Sequence, residues 1–269
     1  MQNLEAKLDT LKSIIKNYGK VGIAFSGGVD STLLLKVAHD LLEDNAVAFT
    51  ASLRSVPAFE LTEADEFCKA EGIRQIVCEI NELEIKEFAA NPADRCYYCK
   101  KNVLSRICSE AQELGIAHIA EGSNVDDLGD FRPGRKAVEE FGVSSPLLEA
   151  GLIKAEIREL SRALNLPTWD KPAYACLASR IVHGETITEE KLRMIEKAES
   201  FLMKNGFRQM RVRLHGDLVR IEVPPENIVE LVNPDLRNAI TRKFKELGFR
   251  YVSLDLDGYK MGSMNPTGV

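Results

Sequence analysis

The residues with the most specific chemistry are Ser26-Gly27-Gly28-Val29-Asp30-Ser31, set between a short apolar run at Val21–Phe25 and a helical stretch at 30–43. Two glycines let the backbone approach an anion closely, and the N–H groups and dipole of the following helix then point at it. Ser26, Ser31 and Thr32 add hydroxyl donors. This is phosphate-binding chemistry. The segment has no lysine where G-x-x-x-x-G-K-[ST] requires one, and it does not spell G-x-G-x-x-G.

A strand that stops at these glycines belongs to a buried parallel sheet, and such sheets bind ligands at the carboxyl ends of their strands. Two more segments therefore join the nucleotide-sized site. One is Thr50-Ala51-Ser52, which contributes Ser52. The other is Gly122-Ser123-Asn124-Val125-Asp126-Asp127, where Gly122 admits close approach and Asn124 offers an amide. Asp126 and Asp127 are placed to hold Mg²⁺ on phosphates, or else form a solvated acidic loop.

Six cysteines are present. Cys68, Cys78 and Cys108 fall on apolar helix or strand faces and read as small core residues. Cys96 and Cys99 form C-Y-Y-C in the expected loop Asp94–Lys101, a spacing that suits half a zinc site, a redox pair or part of an iron–sulfur site. The chain has no second C-x-x-C, so a four-thiolate zinc ribbon is excluded. Cys176, in Lys171–Arg180, is a better third ligand than a histidine, and Pro172 disfavours helix at Lys171.

In the last third, Arg211 and Arg213 alternate with Met210 and Val212. Two arginines two residues apart on a strand share a face, and their forked guanidinium groups suit a phosphate; the alternative is a pair of surface arginines. Arg180 is a weaker candidate, a cation beside Cys176 of the kind that suits a reactive thiol. Glu199 and Glu230 are weaker candidates for a substrate or metal contact, since both lie on expected helices where a solvated face is the default.

These groups need a scaffold. The chain has 269 residues with 45% hydrophobic content, enough to bury a core. Its 35 Lys+Arg against 41 Asp+Glu give a net charge of −6, which argues against nonspecific nucleic-acid binding. Sparse cysteine excludes a disulfide scaffold and points to a reducing cytoplasm. There is no apolar run of membrane-spanning length. Leu4, Leu8, Leu11 and Ile15 mark the N-terminal segment as an amphipathic helix rather than a signal peptide. Strands expected at 21–25, 46–51, 75–80 and 116–121 alternate with helices at 30–43, 60–72, 99–114 and 154–165. That order gives an α/β fold, a doubly wound parallel sheet with helices on both faces. After about Gly184 the pattern changes. Thr188 caps a helix to about Asn205. A hairpin turns at His215-Gly216-Asp217 between 209–214 and 218–223, helices follow near 225–232 and 235–247, and a strand runs over 251–256. The expected domains are therefore 1–184 and a smaller α+β domain at 185–269.

The order S-G-G-x-D-S resembles the pyrophosphate loop of the PP-loop ATP pyrophosphatase superfamily, whose adenine nucleotide alpha-hydrolase fold holds the β- and γ-phosphates while ATP is cleaved between α and β. Together with EGSNVDD (121–127), Asp130-Phe131-Arg132-Pro133-Gly134, ACLASRI (175–181) and LDLDGYKMGSMN (254–265), the loop makes nearly the whole chain similar to the LarE family. Those are ATP-dependent sulfur transferases of nickel-pincer nucleotide synthesis. The resemblance implies adenylylation of a carboxylate of pyridinium-3,5-biscarboxylic acid mononucleotide, release of pyrophosphate, and displacement of AMP by sulfur to give a thiocarboxylate. It implies ATP and Mg²⁺ and assigns Arg211 and Arg213 to the substrate phosphate. It also implies a homo-oligomer, a hexamer in this form. Members with one cysteine here sacrifice its sulfur. The three-cysteine form, to which Cys96, Cys99 and Cys176 correspond, implies a [4Fe–4S] cluster with one iron open to an extra sulfide, with zinc as the lesser alternative. The rival readings are a PP-loop tRNA thiolase, disfavoured by the acidic charge, an amidating synthetase, which needs no C-x-x-C, and a non-enzymatic nucleotide-binding regulator.

Overall fold

A computed structural model describes residues 4–129, 133–172, 174–260 and 262–264. Asp130, Phe131, Arg132, Ala173, Met261 and Asn265, all in the segments quoted above, lie outside the described residues. In chain order the elements are α1 (Leu4–Tyr18), β1 (Val21–Ala24), α2 (Val29–Leu42), β2 (Ala46–Ser52), α3 (Ala58–Glu71), β3 (Gln75–Glu79), α4 (Lys86–Ala89), α5 (Arg95–Glu113) and β4 (His118–Ala120). They continue with α6 (Gly134–Glu140), α7 (Pro146–Glu149), α8 (Lys154–Ala163), α9 (Glu189–Lys204), β5 (Arg211–His215), β6 (Leu218–Glu222), α10 (Ile228–Leu231), α11 (Pro234–Glu246) and β7 (Tyr251–Leu254).

The chain divides into two compact units, 1–81 with 96–173, and 82–95 with 174–269. The first is built on a parallel sheet of order β3-β2-β1-β4. Alternate residues of β2 serve opposite faces, as a strand period of two dictates. Ala46 and Ala48 enter a core with α1, α2, α3 and α8 residues such as Leu11, Leu34, Phe67 and Ile157. Val47 and Phe49 enter a second core with Leu104 and Ile107 of α5 and Val138 of α6. Helices thus cover both faces, the α/β arrangement expected from the alternating pattern. Gly22 sits at the middle of β1 because a Cβ there would lie 2.7 Å from the Phe49 ring and 2.8 Å from Ile119 Cδ1.

The second unit carries an antiparallel β5-β6 hairpin with β7 parallel to β6. Its turn uses Gly216 at φ +57, and Thr188 Oγ1 caps α9 by accepting from Lys191 N–H at 3.2 Å. Residues 82–95 and 174–184, which the sequence places with the first domain, fold with this unit. Asn91 explains why. Its buried amide donates to the carbonyls of Ile181 (3.3 Å), Val182 (2.8 Å) and Glu185 (3.1 Å), and its own carbonyl accepts from Gly184 N–H at 3.0 Å. Among the described residues, no helix is long and apolar enough to cross a membrane.

Candidate active site

In the first unit, β1 ends directly at the glycine loop. Gly27 has φ +70, a left-handed conformation that suits glycine, and Gly28 stands before the first turn of α2. The first-turn N–H groups have no intrahelical acceptor, so the loop offers them to an anion. Hydroxyls fix its shape. Ser31 Oγ lies 3.1 Å from Ser26 Oγ and accepts from Ser26 N–H at 3.3 Å, and Thr32 Oγ1 donates to the Gly28 carbonyl at 2.8 Å. Thr32 is fully buried, so its role is to hold the turn.

The segment after β4 packs against this helix head. A Cβ on Gly122 would be 3.0 Å from Ser31 N and 3.2 Å from Asp30 Cβ, so any side chain here would push the head of α2 by a few tenths of an ångström. Asn124 Nδ2 donates to Asp30 Oδ1 at 3.2 Å, and Asn124 Oδ1 accepts from Asp126 N–H at 2.9 Å. Asp126 accepts the backbone N–H of Lys154 at 2.8 Å, while the Lys154 ammonium pairs with Asp30 Oδ2. Ser52 closes β2 on the same carboxyl edge, its carbonyl accepting from Ile80 N–H at 3.1 Å. The glycines, the head of α2, Lys154, Asp30 and Asp126 are thus gathered at the carboxyl end of β1 and β4, a set of backbone donors, one ammonium and two carboxylates of the kinds that bind phosphate and Mg²⁺. Sequence reasoning missed Lys154. Its partners are remote in sequence, and its own segment carries no local phosphate motif.

Cys96 and Cys99 are not in a loop. They fall in the first two turns of α5, which starts at Arg95, because nothing in Arg95–Lys101 breaks a helix. A spacing of three places both thiols on one helix face. Cys96 is exposed and Cys99 partly so. Nearby, Lys100 pairs with the buried Glu121 at 3.1 Å, and burial of that carboxyl is outweighed by Lys100, Ser123 and Ser145, which hold it below its usual value. Cys68, Cys78 and Cys108 have thiols pushed up by burial, Cys68 to about 12, which suits inert core residues.

In the second unit, the sequence candidates around Cys176 converge. Arg180, fully buried, forms a fork on Glu199, with Nε to Oε1 at 2.8 Å and Nη2 to Oε2 at 2.9 Å. Its Nη1 donates to the carbonyls of Ala175 (2.6 Å) and Cys176 (3.2 Å), so it holds the cysteine's backbone directly. Glu199 is buried, not on a solvated face, because it also accepts the Val212 N–H of β5 at 3.0 Å. Arg211 and Arg213 are likewise buried. Arg213 donates to Glu222 Oε2 and to the Ser179 carbonyl at 3.0 Å, and Arg211 lies over the Tyr259 ring, 4.9 Å from its centroid. Burial first, and then the charge of Arg180, lower the Arg211 pKa. Glu230 is exposed on the single-turn α10. Among the described residues, no three metal-ligating side chains are gathered together. Cys96 and Cys99, accessible on one helix face of the first unit, and Cys176, partly exposed in the second, are thiols, the donor type that an iron–sulfur site uses.

A family model described as a PP-loop domain matches residues 1–128. An uncharacterized protein from Synechocystis sp. is 43% identical, over 97% of this chain and 98% of its own length. The pyridinium-3,5-bisthiocarboxylic acid mononucleotide synthase of Lactiplantibacillus plantarum is 36% identical, over 99% of this chain and 96% of its own. A polypeptide of the glutamine-hydrolyzing GMP synthase of Thermoplasma volcanium is 26% identical, over 70% of this chain and 64% of its own. With end-to-end similarity to the Lactiplantibacillus synthase and a phosphate loop built as described, this chain belongs to the LarE family of ATP-dependent sulfur transferases within the PP-loop superfamily.

Proposed function

We propose that this protein adenylylates a carboxylate of pyridinium-3,5-biscarboxylic acid mononucleotide and replaces its oxygen with sulfur, once for each carboxylate. The observation that carries the reading is the phosphate cradle, in which Gly122 packs on the head of α2 beside Asp30 and Lys154. The similarity to the Lactiplantibacillus synthase supplies the substrate.

A carboxylate is a poor electrophile. Its oxygen attacks the α-phosphorus of ATP, the bond to the oxygen bridging α and β breaks, and pyrophosphate leaves with the electron pair. The cradle binds the β- and γ-phosphates and so stabilises the charge that develops on them, with Lys154 and Mg²⁺ on Asp30 and Asp126 as counter-charges. A sulfur nucleophile then attacks the acyl carbon and AMP leaves. Arg211 and Arg213 take the phosphate of the substrate. The two guanidinium groups lie on one strand within a buried network of Arg180, Glu199 and Glu222, and the paired forks on that strand suit a phosphate.

A [4Fe–4S] cluster on Cys96, Cys99 and Cys176 would supply labile sulfide and spare the cysteines. Arg180, Ser179 and Arg213 fix the backbone beside Cys176. The test is anaerobic purification or reconstitution, iron and sulfide analysis, and intact mass after turnover. About four irons per chain and unchanged mass are expected. An iron-free active protein that leaves dehydroalanine at Cys176 would replace the cluster with sacrifice of the cysteine. Absence of AMP and pyrophosphate release would overturn the whole reading.

A further inference from the structure

Lys171 is not one of the residues that the phosphate-loop pattern points to, yet it touches that loop. Its ammonium donates to the Gly27 carbonyl at 3.1 Å, to Glu60 Oε2 at 2.6 Å and to Glu63 Oε2 at 2.7 Å. An ammonium has three N–H donors. All three are engaged, so Lys171 is not a phosphate ligand in the manner of a Walker lysine. It is held firmly in place. Its side chain is 10% exposed and that of Glu60 9%, and the guanidinium of Arg158 grips the carbonyls of Trp169 (2.6 Å) and Lys171 (2.8 Å).

The consequence follows from peptide geometry. In a trans peptide the C=O and the next N–H point in opposite directions. Gly27, at φ +70, has no Cβ to resist rotation of the Gly27–Gly28 peptide. In one orientation the Gly28 N–H faces an anion in the cradle. In the other the Gly27 carbonyl oxygen faces it and repels it. We infer that Lys171 is the positioning residue of the pyrophosphate loop: by holding the Gly27 carbonyl it turns the Gly28 N–H toward the β- and γ-phosphates. Glu60 and Glu63 keep the ammonium charged and aimed. Burial works against its charge, but their hydrogen bonds outweigh burial and raise its pKa. The inference rests on the nucleotide reading above and adds the element that keeps the loop in its binding conformation before ATP arrives.

The test measures binding of inorganic pyrophosphate, ATP and AMP by calorimetry to the full-length protein, wild type against Lys171→Met and Lys171→Arg. Lys171→Met is expected to weaken pyrophosphate and ATP by roughly 10- to 100-fold, the range for losing one charge-assisted hydrogen bond. AMP, which lacks the β- and γ-phosphates, should stay within about twofold of wild type, and Lys171→Arg should recover part of the loss. Lys171→Met alone strands the buried Glu60, so the double variant Lys171→Met/Glu60→Gln is measured beside it. It leaves no buried unpaired charge and is expected to fold and show the same selective loss. Wild-type pyrophosphate affinity in either folded variant would overturn the inference, as would equal weakening of all three ligands. A wild-type protein that binds neither ATP nor pyrophosphate would instead overturn the nucleotide reading, and this inference with it.

Discussion

Arg95 Nη1 lies 2.9 Å from Nδ1 of His183, joining the residue directly before Cys96 to the stretch that follows Cys176 in sequence. The guanidinium can only donate, so His183 presents a lone pair and is neutral there. Burial first, and then the Arg95 charge, lower its pKa below 6.5, and burial followed by Arg220 lowers that of His215. Below pH 6.5 the unfolded histidines bind protons that the native ones refuse, so stability falls as pH falls toward the depressed native values. Thermal melts from pH 7.5 down to about 5.5 should show this loss. His183→Gln should flatten the slope, and an unchanged slope would remove the pair from the explanation.

Gly22 on β1 and Gly122 in the segment after β4 should separate stability from binding. Gly22→Ala drives a Cβ into Phe49 and Ile119, costing about 1–3 kcal/mol in denaturant unfolding while ATP affinity is kept. Gly122→Ala presses on Ser31 N and Asp30, and is expected to weaken ATP by about tenfold with a smaller stability change. If the two variants shared one profile, Gly122 would have no specific part in the cradle.

Lys154→Met should slow ATP–pyrophosphate exchange by roughly a hundredfold, because it removes a cation beside Asp30 at the helix head. The pair is partly exposed, so its contribution to folding should be under about 1 kcal/mol. Exchange at the wild-type rate in Lys154→Met would show that the ammonium serves only as a surface counter-ion.

Alanine is the wrong probe for the buried arginines. Arg180→Ala strands Glu199, and unfolding should lose about 3–5 kcal/mol. Arg213→Ala exposes Glu222 to the same problem in part, since Arg220 remains on it at 2.9 Å. Arg211→Lys and Arg213→Lys keep the charge and remove the fork. Each should weaken the pyridinium mononucleotide by about tenfold and leave ATP binding unchanged. Loss of both ligands together would reject a substrate-phosphate role.

Cys96→Ser, Cys99→Ser and Cys176→Ser should each lower iron content after anaerobic reconstitution while sparing ATP binding. Retention of about four irons per chain in Cys176→Ser would remove that thiol from the ligand set.

What the sequence determined by itself is what short-range chemistry decides. Ser26–Thr32 shows its phosphate loop because two glycines, three hydroxyls and a helix start lie within seven residues. The Thr188 cap and the Gly216 turn are legible for the same reason, and the alternation of apolar runs marks the α/β sheet. The local pattern puts Cys96 and Cys99 in a loop because the polar and aromatic residues of Arg95–Lys101 show no apolar periodicity that marks a helix start. Tertiary structure alone decided which distant groups meet. Lys154 reaches Asp30, Lys171 reaches Gly27, and Arg180 reaches Glu199 because separate segments are folded together. Asn91 draws 82–95 into the second unit through backbone carbonyls that no sequence pattern marks. A charge looks solvated in sequence until burial and a partner, both properties of the packed chain, make it structural or functional.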